Sequence, residues 1–225
     1  MILTISDVLS SDVLEEVRAL GSTLPFADGA ATAGATARAV KVNEQADLGG
    51  GAGRVWQARV LQCLRAHPVL RAAARPRRFS RLLLSRTRPG GGYGAHVDNA
   101  VMRRGDHLLR SDLSFTLFLT EPETYDGGEL EVDLPGMVPS MKGRAGELVL
   151  YPSSSIHRVA PVTRGERLVC VGWIQSTIRR DDQRQLLFDL ENLRVSLRQR
   201  SDRNAVEMLT LDKSIANLVR MWAEV

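Results

Sequence analysis

His96 and Asp98, in the run Tyr93-Gly-Ala-His-Val-Asp-Asn99, are an imidazole and a carboxylate two residues apart. On an extended strand, residues i and i+2 point to one face, so the two side chains aim at a common point. That is half of a site for a divalent metal. A second imidazole from a distant strand would complete a facial triad, which leaves coordination positions open and suits iron(II). His157 is placed for that part. It follows the turn Ser153-Ser-Ser155 and begins a β-rich run, and the apolar segment Glu147-Leu-Val-Leu-Tyr-Pro152 leads into it. Taken singly these signals are weak, since His-x-Asp arises often by chance and a lone His at a strand start is more often structural. Their order along the chain carries the argument.

Arg167 adds a different chemistry. A guanidinium grips a carboxylate bidentately, most strongly in a dry pocket. A keto-acid such as 2-oxoglutarate chelates a metal at one end and leaves a second carboxylate several ångströms away, which Arg167 could hold. His157 and Arg167 flank Thr163-Arg-Gly-Glu166 and read as lying on adjacent strands. Strand parity then requires a three- or five-residue loop or a bulge, because a tight four-residue loop would put them on opposite faces.

The elements that must position these residues are strands. Phe79–Thr87, Leu113–Leu119, Glu129–Asp133, Glu147–Tyr151, Ile156–Val162 and Leu168–Ser176 are short β-rich runs. They are punctuated by Pro89-Gly-Gly-Gly, Asp126-Gly-Gly, Leu134-Pro-Gly, Lys142-Gly and Arg164-Gly. Many short strands at that spacing predict a sandwich or jelly roll. Helices flank them. Val13, Val17 and Leu20 recur at helical spacing behind an Asp12/Glu15 capping pair. Trp56, Val60 and Cys63 share one face of a helix over 54–66 that Pro68 closes. Residues 25–53 read as loop and weak strand. After about Arg179 two stripes, Leu186/Leu190/Leu193/Leu197 and Met208/Leu211/Ile215/Leu218/Trp222, predict amphipathic helices that either cap the barrel or form a dimer face.

Tyr93-Gly-Ala-His-Val-Asp-Asn-Ala100, Leu113-Ser-Phe-Thr-Leu-Phe-Leu119 and Gly127-Gly-Glu-Leu130, with His157 and Arg167 in that order, resemble the prolyl/lysyl-hydroxylase-type (PKHD) branch of the iron(II)/2-oxoglutarate-dependent dioxygenases. The similarity is greatest to the bacterial iron-uptake-associated hydroxylases and is strongest over residues 78–178. It implies a mainly β chain with flanking helices and a double-stranded β-helix (jelly roll) core. It also implies Fe(2+) on His96, Asp98 and His157, 2-oxoglutarate on Arg167, and stimulation by L-ascorbate. The reaction implied uses molecular oxygen to hydroxylate a peptidyl or small-molecule substrate linked to iron acquisition. The expected division is an N-terminal helical region over 1–77, the dioxygenase core over 78–178 and a C-terminal helical extension over 179–225. Tyr93 is a further co-substrate contact in this reading, and the Asn99–Arg110 loop a substrate mouth. One departure stands out, since many relatives carry a Tyr where this chain has Thr87.

Composition bounds the alternatives. The chain has 225 residues, 44% hydrophobic and 25% charged, the profile of an ordinary globular domain. No run approaches the roughly 18 apolar residues of a membrane span, and the N-terminus lacks a basic leader, so no membrane partner is expected. Cys63 and Cys170 show neither pairing nor zinc-type spacing, which points to a reducing, cytoplasmic setting. The +4 charge is carried by Arg, densest over Arg71–Arg88. As a phosphate track that stretch would suit a nucleic-acid demethylase on the same core, but it has no interleaved aromatics for base stacking, and a solvated face is the better reading. A non-catalytic iron sensor would need no anchor such as Arg167. Gly90-Gly-Gly-Tyr-Gly lacks the Gly-Lys-Ser/Thr ending of a phosphate loop. His107 reads as an exposed loop residue rather than a substitute ligand, Cys170 as core, and His67 as a capping or surface residue.

Overall fold

The structure, a computed structural model, describes residues 1–32, 38–104, 107–200 and 205–224. The first part of the chain holds β1 (Leu3–Ile5), α1 (Ser11–Ser22), β2 (Phe26–Asp28), β3 (Lys41–Val42), β4 (Glu44–Ala46), α2 (Gly51–Ala66) and α3 (Pro68–Ala74). Then come β5 (Pro76–Phe79), β6 (Leu83–Thr87), β7 (Gly92–His96), β8 (Val101–Arg104), β9 (His107–Arg110), β10 (Leu113–Phe118), β11 (Asp126–Gly127) and β12 (Leu130–Val132). The remainder is β13 (Ser140–Met141), β14 (Leu148–Pro152), β15 (His157–Val159), β16 (Val162–Arg164), β17 (Arg167–Ser176), α4 (Asp181–Arg198) and α5 (Val206–Trp222).

The long strands form a major sheet ordered β1-β14-β10-β17-β6-β4-β2, with β5 also paired to β17, and β13-β12-β15-β7-β3 form a minor sheet. The ladders within both are antiparallel. Together they make the jelly roll. β10 shows how the layers arise. All six of its residues are buried, because alternate side chains enter two different apolar layers. Leu113, Phe115 and Leu117 pack with Val17, Trp56, Val60, Leu64 and Leu70 of the N-terminal helices. Phe118 packs instead with Leu130 and Val132 of the minor sheet. The helices therefore cover the outside of the major sheet, and its inner face is left to enclose a cavity.

Several local expectations change. The α1 cap position is Ser10, without a side-chain cap bond, and Asp12 lies inside the first turn. Pro68 does not simply close a helix. It opens α3, with the His67 ring accepting from Leu70 N at 3.4 Å as the cap; a proline at the first helical position lacks only an N–H that would have no partner there. The segment from Val101 is a β8–β9 hairpin rather than a loop, although the His107 side chain lies outside the described residues. Arg75, Arg86 and Arg88 of the Arg-rich stretch are tied to Glu191, Glu44 and Glu166, so they do not form one free cationic track. Among the described residues no helix is long and apolar enough to cross a membrane.

The C-terminal helices pack on each other around Ile178, Leu187 and Ile215. Phe188 reaches the main core, and Arg75–Glu191 at 2.9 Å joins α4 to the end of α3. The α5 stripe is inward as expected, led by Met208 and Ile215, but the α4 stripe is inward only in part, through Leu190. Leu187 and Phe188 are the buried apolar residues there, while Leu186 and Leu193 are 46% and 47% exposed. The periodicity was right and its phase was set by α3 and α5. Truncation after Gln175 removes these contacts, each large apolar side chain being worth roughly 1.5–3 kcal/mol, against a total stability of only about 5–15 kcal/mol. The expected outcome is an aggregating core, checked by soluble yield and light scattering.

Candidate active site

β7 and β15 are neighbours in the minor sheet, and the register sets His157 directly opposite His96. Their ring centroids are 4.2 Å apart. Asp98 lies beyond the end of β7, not on the strand itself, yet its carboxylate reaches the same place, with Oδ2 3.7 Å from His157 Nε2. One ligand atom from each of His96, Asp98 and His157 falls within 4.8 Å of the others.

Both imidazoles are held in the orientation that a metal requires. His96 Nδ1 is 2.8 Å from Gly94 O, and His157 Nδ1 is 3.1 Å from Ser155 O. A carbonyl oxygen only accepts, so each Nδ1 carries the proton and each Nε2 keeps its lone pair. Tyr93 stacks on His96, centroids 3.6 Å apart, which fixes that ring from a third side. Burial, and then repulsion from His157, pushes the His96 pKa below its ordinary 6.5.

That shift has a pH consequence for the metal-free protein. The folded pKa lies below the unfolded one, so as pH falls the unfolded chain takes up the proton first. The stability contribution is complete above about 6.5 and is lost as pH drops from there through the folded pKa. Denaturant midpoints at pH 7.5 and 5.5 are expected to differ more in the native protein than in His96→Gln.

Arg167, the first residue of β17, faces the same cavity from the major sheet. His157 and Arg167 are therefore not on adjacent strands; the chain crosses between sheets through β16, and the parity requirement does not arise. Arg167 is 3% exposed, and its Nε and Nη2 have no hydrogen-bond partner among the described residues. Burial works against its charge and the neighbouring Tyr125 favours it, while the Tyr125 hydroxyl has no hydrogen-bond partner among the described residues. A Phe118 ring lies 5.5 Å from the guanidinium carbon. Gly128, at φ +70°, passes so close that a Cβ there would stand 2.8 Å from Arg167 Cδ, so its backbone conformation and its proximity to this side chain both favour glycine. A buried guanidinium with orphaned nitrogens costs several kcal/mol in the absence of an anion, which fits a carboxylate ligand. Its neighbours in sequence, Arg158 and Arg164, are exposed and paired with Glu131 and Asp126.

These groups line one cavity of about 1140 Å³. Thr87 is directly across from Arg167 in the β6–β17 ladder, buried and facing the cavity. Asn99–Arg103 and Leu109 form part of the wall, where the substrate mouth was expected. Some residues were missed in the sequence. Tyr151 is buried between the parts of the site, 5.0 Å from the His157 ring, and burial raises its pKa strongly. Its signal was the alternation Val149/Tyr151 on an incoming strand. Lys41, with its ammonium 5.3 Å from the Tyr93 ring centre and its pKa lowered by burial to about 8, carried no signal at all. Ser114 bonds Asp98; with Thr116 it is one of two hydroxyls in a mostly apolar run, which could have drawn notice.

Comparison with known proteins gives two family matches: the 2OG-Fe(II) oxygenase superfamily over residues 82–175 and the PKHD-type hydroxylase C-terminal domain over 181–224. The chain is 49% identical to a PKHD-type hydroxylase of Hyphomonas neptunium, covering 99% of this chain and 100% of that one. It is 46% identical to another from Maricaulis maris over the full length of both. Among solved structures, its fold is similar to a Pseudomonas putida prolyl-4-hydroxylase, with TM-score 0.51, 23% identity, and coverage of 78% of this chain and 92% of that one. A Trichoplax adhaerens prolyl hydroxylase is similar at TM-score 0.55 and 16% identity, covering 83% and 86%.

Proposed function

Since the chain belongs to the PKHD-type hydroxylases, iron(II)- and 2-oxoglutarate-dependent dioxygenases, we propose that His96, Asp98 and His157 hold Fe(2+) and that Arg167 anchors the distal carboxylate of 2-oxoglutarate. The observation that carries this reading is the pairing of a His-Asp-His cluster with a buried, under-bonded guanidinium in one cavity. Held there, iron and 2-oxoglutarate would supply oxygen-activating chemistry that turns a substrate C–H into C–OH, with the co-substrate converted to succinate and carbon dioxide. The protein's own residues do the positioning. The Nδ1 bonds of His96 and His157 keep both Nε2 lone pairs inward. Arg167 fixes the far end of the co-substrate. Thr87, Tyr93 and Tyr151 offer hydroxyls along the way. The apolar layer of Phe118, Leu130 and Val169 keeps water from the inner end.

The substrate we assign is a peptidyl residue or small molecule connected with iron acquisition, entering past Asn99–Arg103. L-Ascorbate serves as a reductant that keeps the iron as Fe(2+). The protein acts in the cytoplasm, where Cys63 and Cys170 stay reduced. Residues 179–225 serve as a helical addition to the 78–178 core, whereas residues 1–77, expected to be a helical region, also lend β1–β4 to the two sheets because β1, β3 and β4 pair with β14, β7 and β6. A homodimer through the C-terminal helices would cover Leu186, Leu193, Leu209 and Met221, all exposed in the single chain. Sedimentation is expected to show a dimer that Leu186→Lys with Leu193→Lys converts to monomer. The test of the activity itself is succinate release with iron and 2-oxoglutarate, with and without candidate substrates and ascorbate. Absence of any succinate under all these conditions would remove the reading.

A further inference from the structure

The three residues of the cluster are not held alike. His96 and His157 belong to paired strands and are oriented by their own Nδ1 bonds. Asp98 has no such support, because β7 ends at His96 and the chain beyond, from Val97 to Ala100, lies outside the sheet ladders. A carboxylate on an irregular segment is free to rotate unless something reaches it from elsewhere. Ser114 does so from β10 in the opposite sheet: its Oγ donates to Asp98 Oδ2 at 2.6 Å. Ser153 lies beyond it, with its Oγ 2.7 Å from Ser114 Oγ. The two serines are 0% and 2% exposed, so bulk water does not substitute for either.

Donor arithmetic sets the direction of this chain. An ionised carboxylate only accepts, and a serine hydroxyl has one proton. Ser114 gives its proton to Asp98, so the Ser114–Ser153 bond is donated by Ser153. Ser153 thereby fixes the Ser114 rotor, and Ser114 fixes the carboxylate. The next residue is held as well, with Ser111 Oγ donating to Asn99 O and Ser111 N bonded to Ala100 O at 3.0 Å. The neighbouring Lys41 ammonium would otherwise compete for the Asp98 oxygens.

We propose that Ser153 and Ser114 are positioning residues: a buried hydroxyl relay that orients Asp98 across the two sheets and so sets the affinity of the metal site. The proposal rests on Asp98 being a metal ligand. A hydrogen bond behind a ligand is worth about 10–100-fold in metal affinity, and Ser153, one bond further away, is worth less than Ser114.

The test is Mn(II) titration of the purified metal-free protein, read by calorimetry, with far-ultraviolet circular dichroism to confirm folding. Ser114→Ala is expected to weaken Mn(II) by about 10–100-fold, Ser153→Ala to weaken it by a smaller factor, and Ser114→Thr, which keeps the hydroxyl, to restore most of the loss. A merely structural pair of serines would alter thermal unfolding and leave Mn(II) affinity unchanged. Should Ser114→Ala fail to fold, Ser153→Ala decides, since unaltered Mn(II) binding there overturns the relay. Asp98→Ala separates the two layers of argument. If it binds Mn(II) as the native protein does, the assignment of the site fails; if it loses Mn(II) while a folded Ser114→Ala does not, only the relay fails.

Discussion

His157→Ala is expected to leave the protein folded but without retained metal and without measurable succinate formation. His157 supplies a neutral Nε2 whose direction is set by the Nδ1–Ser155 bond and by the ladder position opposite His96. Its removal leaves one imidazole and one carboxylate on a segment outside the sheets. Even an outer hydrogen bond behind a ligand is worth about 10–100-fold, so loss of the ligand itself must exceed that. The fold should tolerate the change, because His157 lies at the start of a short strand and its side chain faces the cavity rather than either apolar cluster. Metal content after dialysis and succinate release measure the two consequences. His96→Ala should behave in the same way, and full turnover in either variant would end the triad assignment.

Arg167→Ala is expected to weaken 2-oxoglutarate binding severely while sparing the metal. Removing one partner of a buried charge pair costs on the order of 2–5 kcal/mol, and 1.4 kcal/mol is a tenfold change in affinity. Titration of 2-oxoglutarate into Mn(II)-loaded protein should thus show a loss of tens- to thousands-fold, with Mn(II) affinity in the absence of the co-substrate unchanged. A second effect has the opposite sign. The buried guanidinium has two nitrogens without partners among the described residues, so replacing it with an apolar residue relieves a desolvation cost. Arg167→Met is expected to raise the unfolding midpoint of the metal-free protein even as it destroys co-substrate binding. An arginine kept for the fold alone would do the reverse, and unchanged 2-oxoglutarate affinity would exclude it as the anchor.

The sequence by itself nominated the residues proposed to do chemistry and determined much of the strand layout. His96, Asp98, His157 and Arg167 could be picked out because residue type and order are properties of the linear chain. The strands at 113–118 and 167–176 were legible because β-branched and aromatic runs between glycine turns bear a local signature. Capping was less legible, as Asp12 and Pro68 show, since a cap depends on where the preceding backbone already runs. Tertiary structure decided the rest. It placed His157 and Arg167 on opposite sheets, brought Tyr151 between them, and set the inward face of α4 at Leu187 and Phe188 rather than Leu186 and Leu193. It also tied Asp98 to a serine from another sheet. The physical reason is common to all four. Periodicity specifies that an element has an apolar or reactive face, but which partner meets that face depends on residues far away in the chain, whose pairing is selected only when the whole core packs at once.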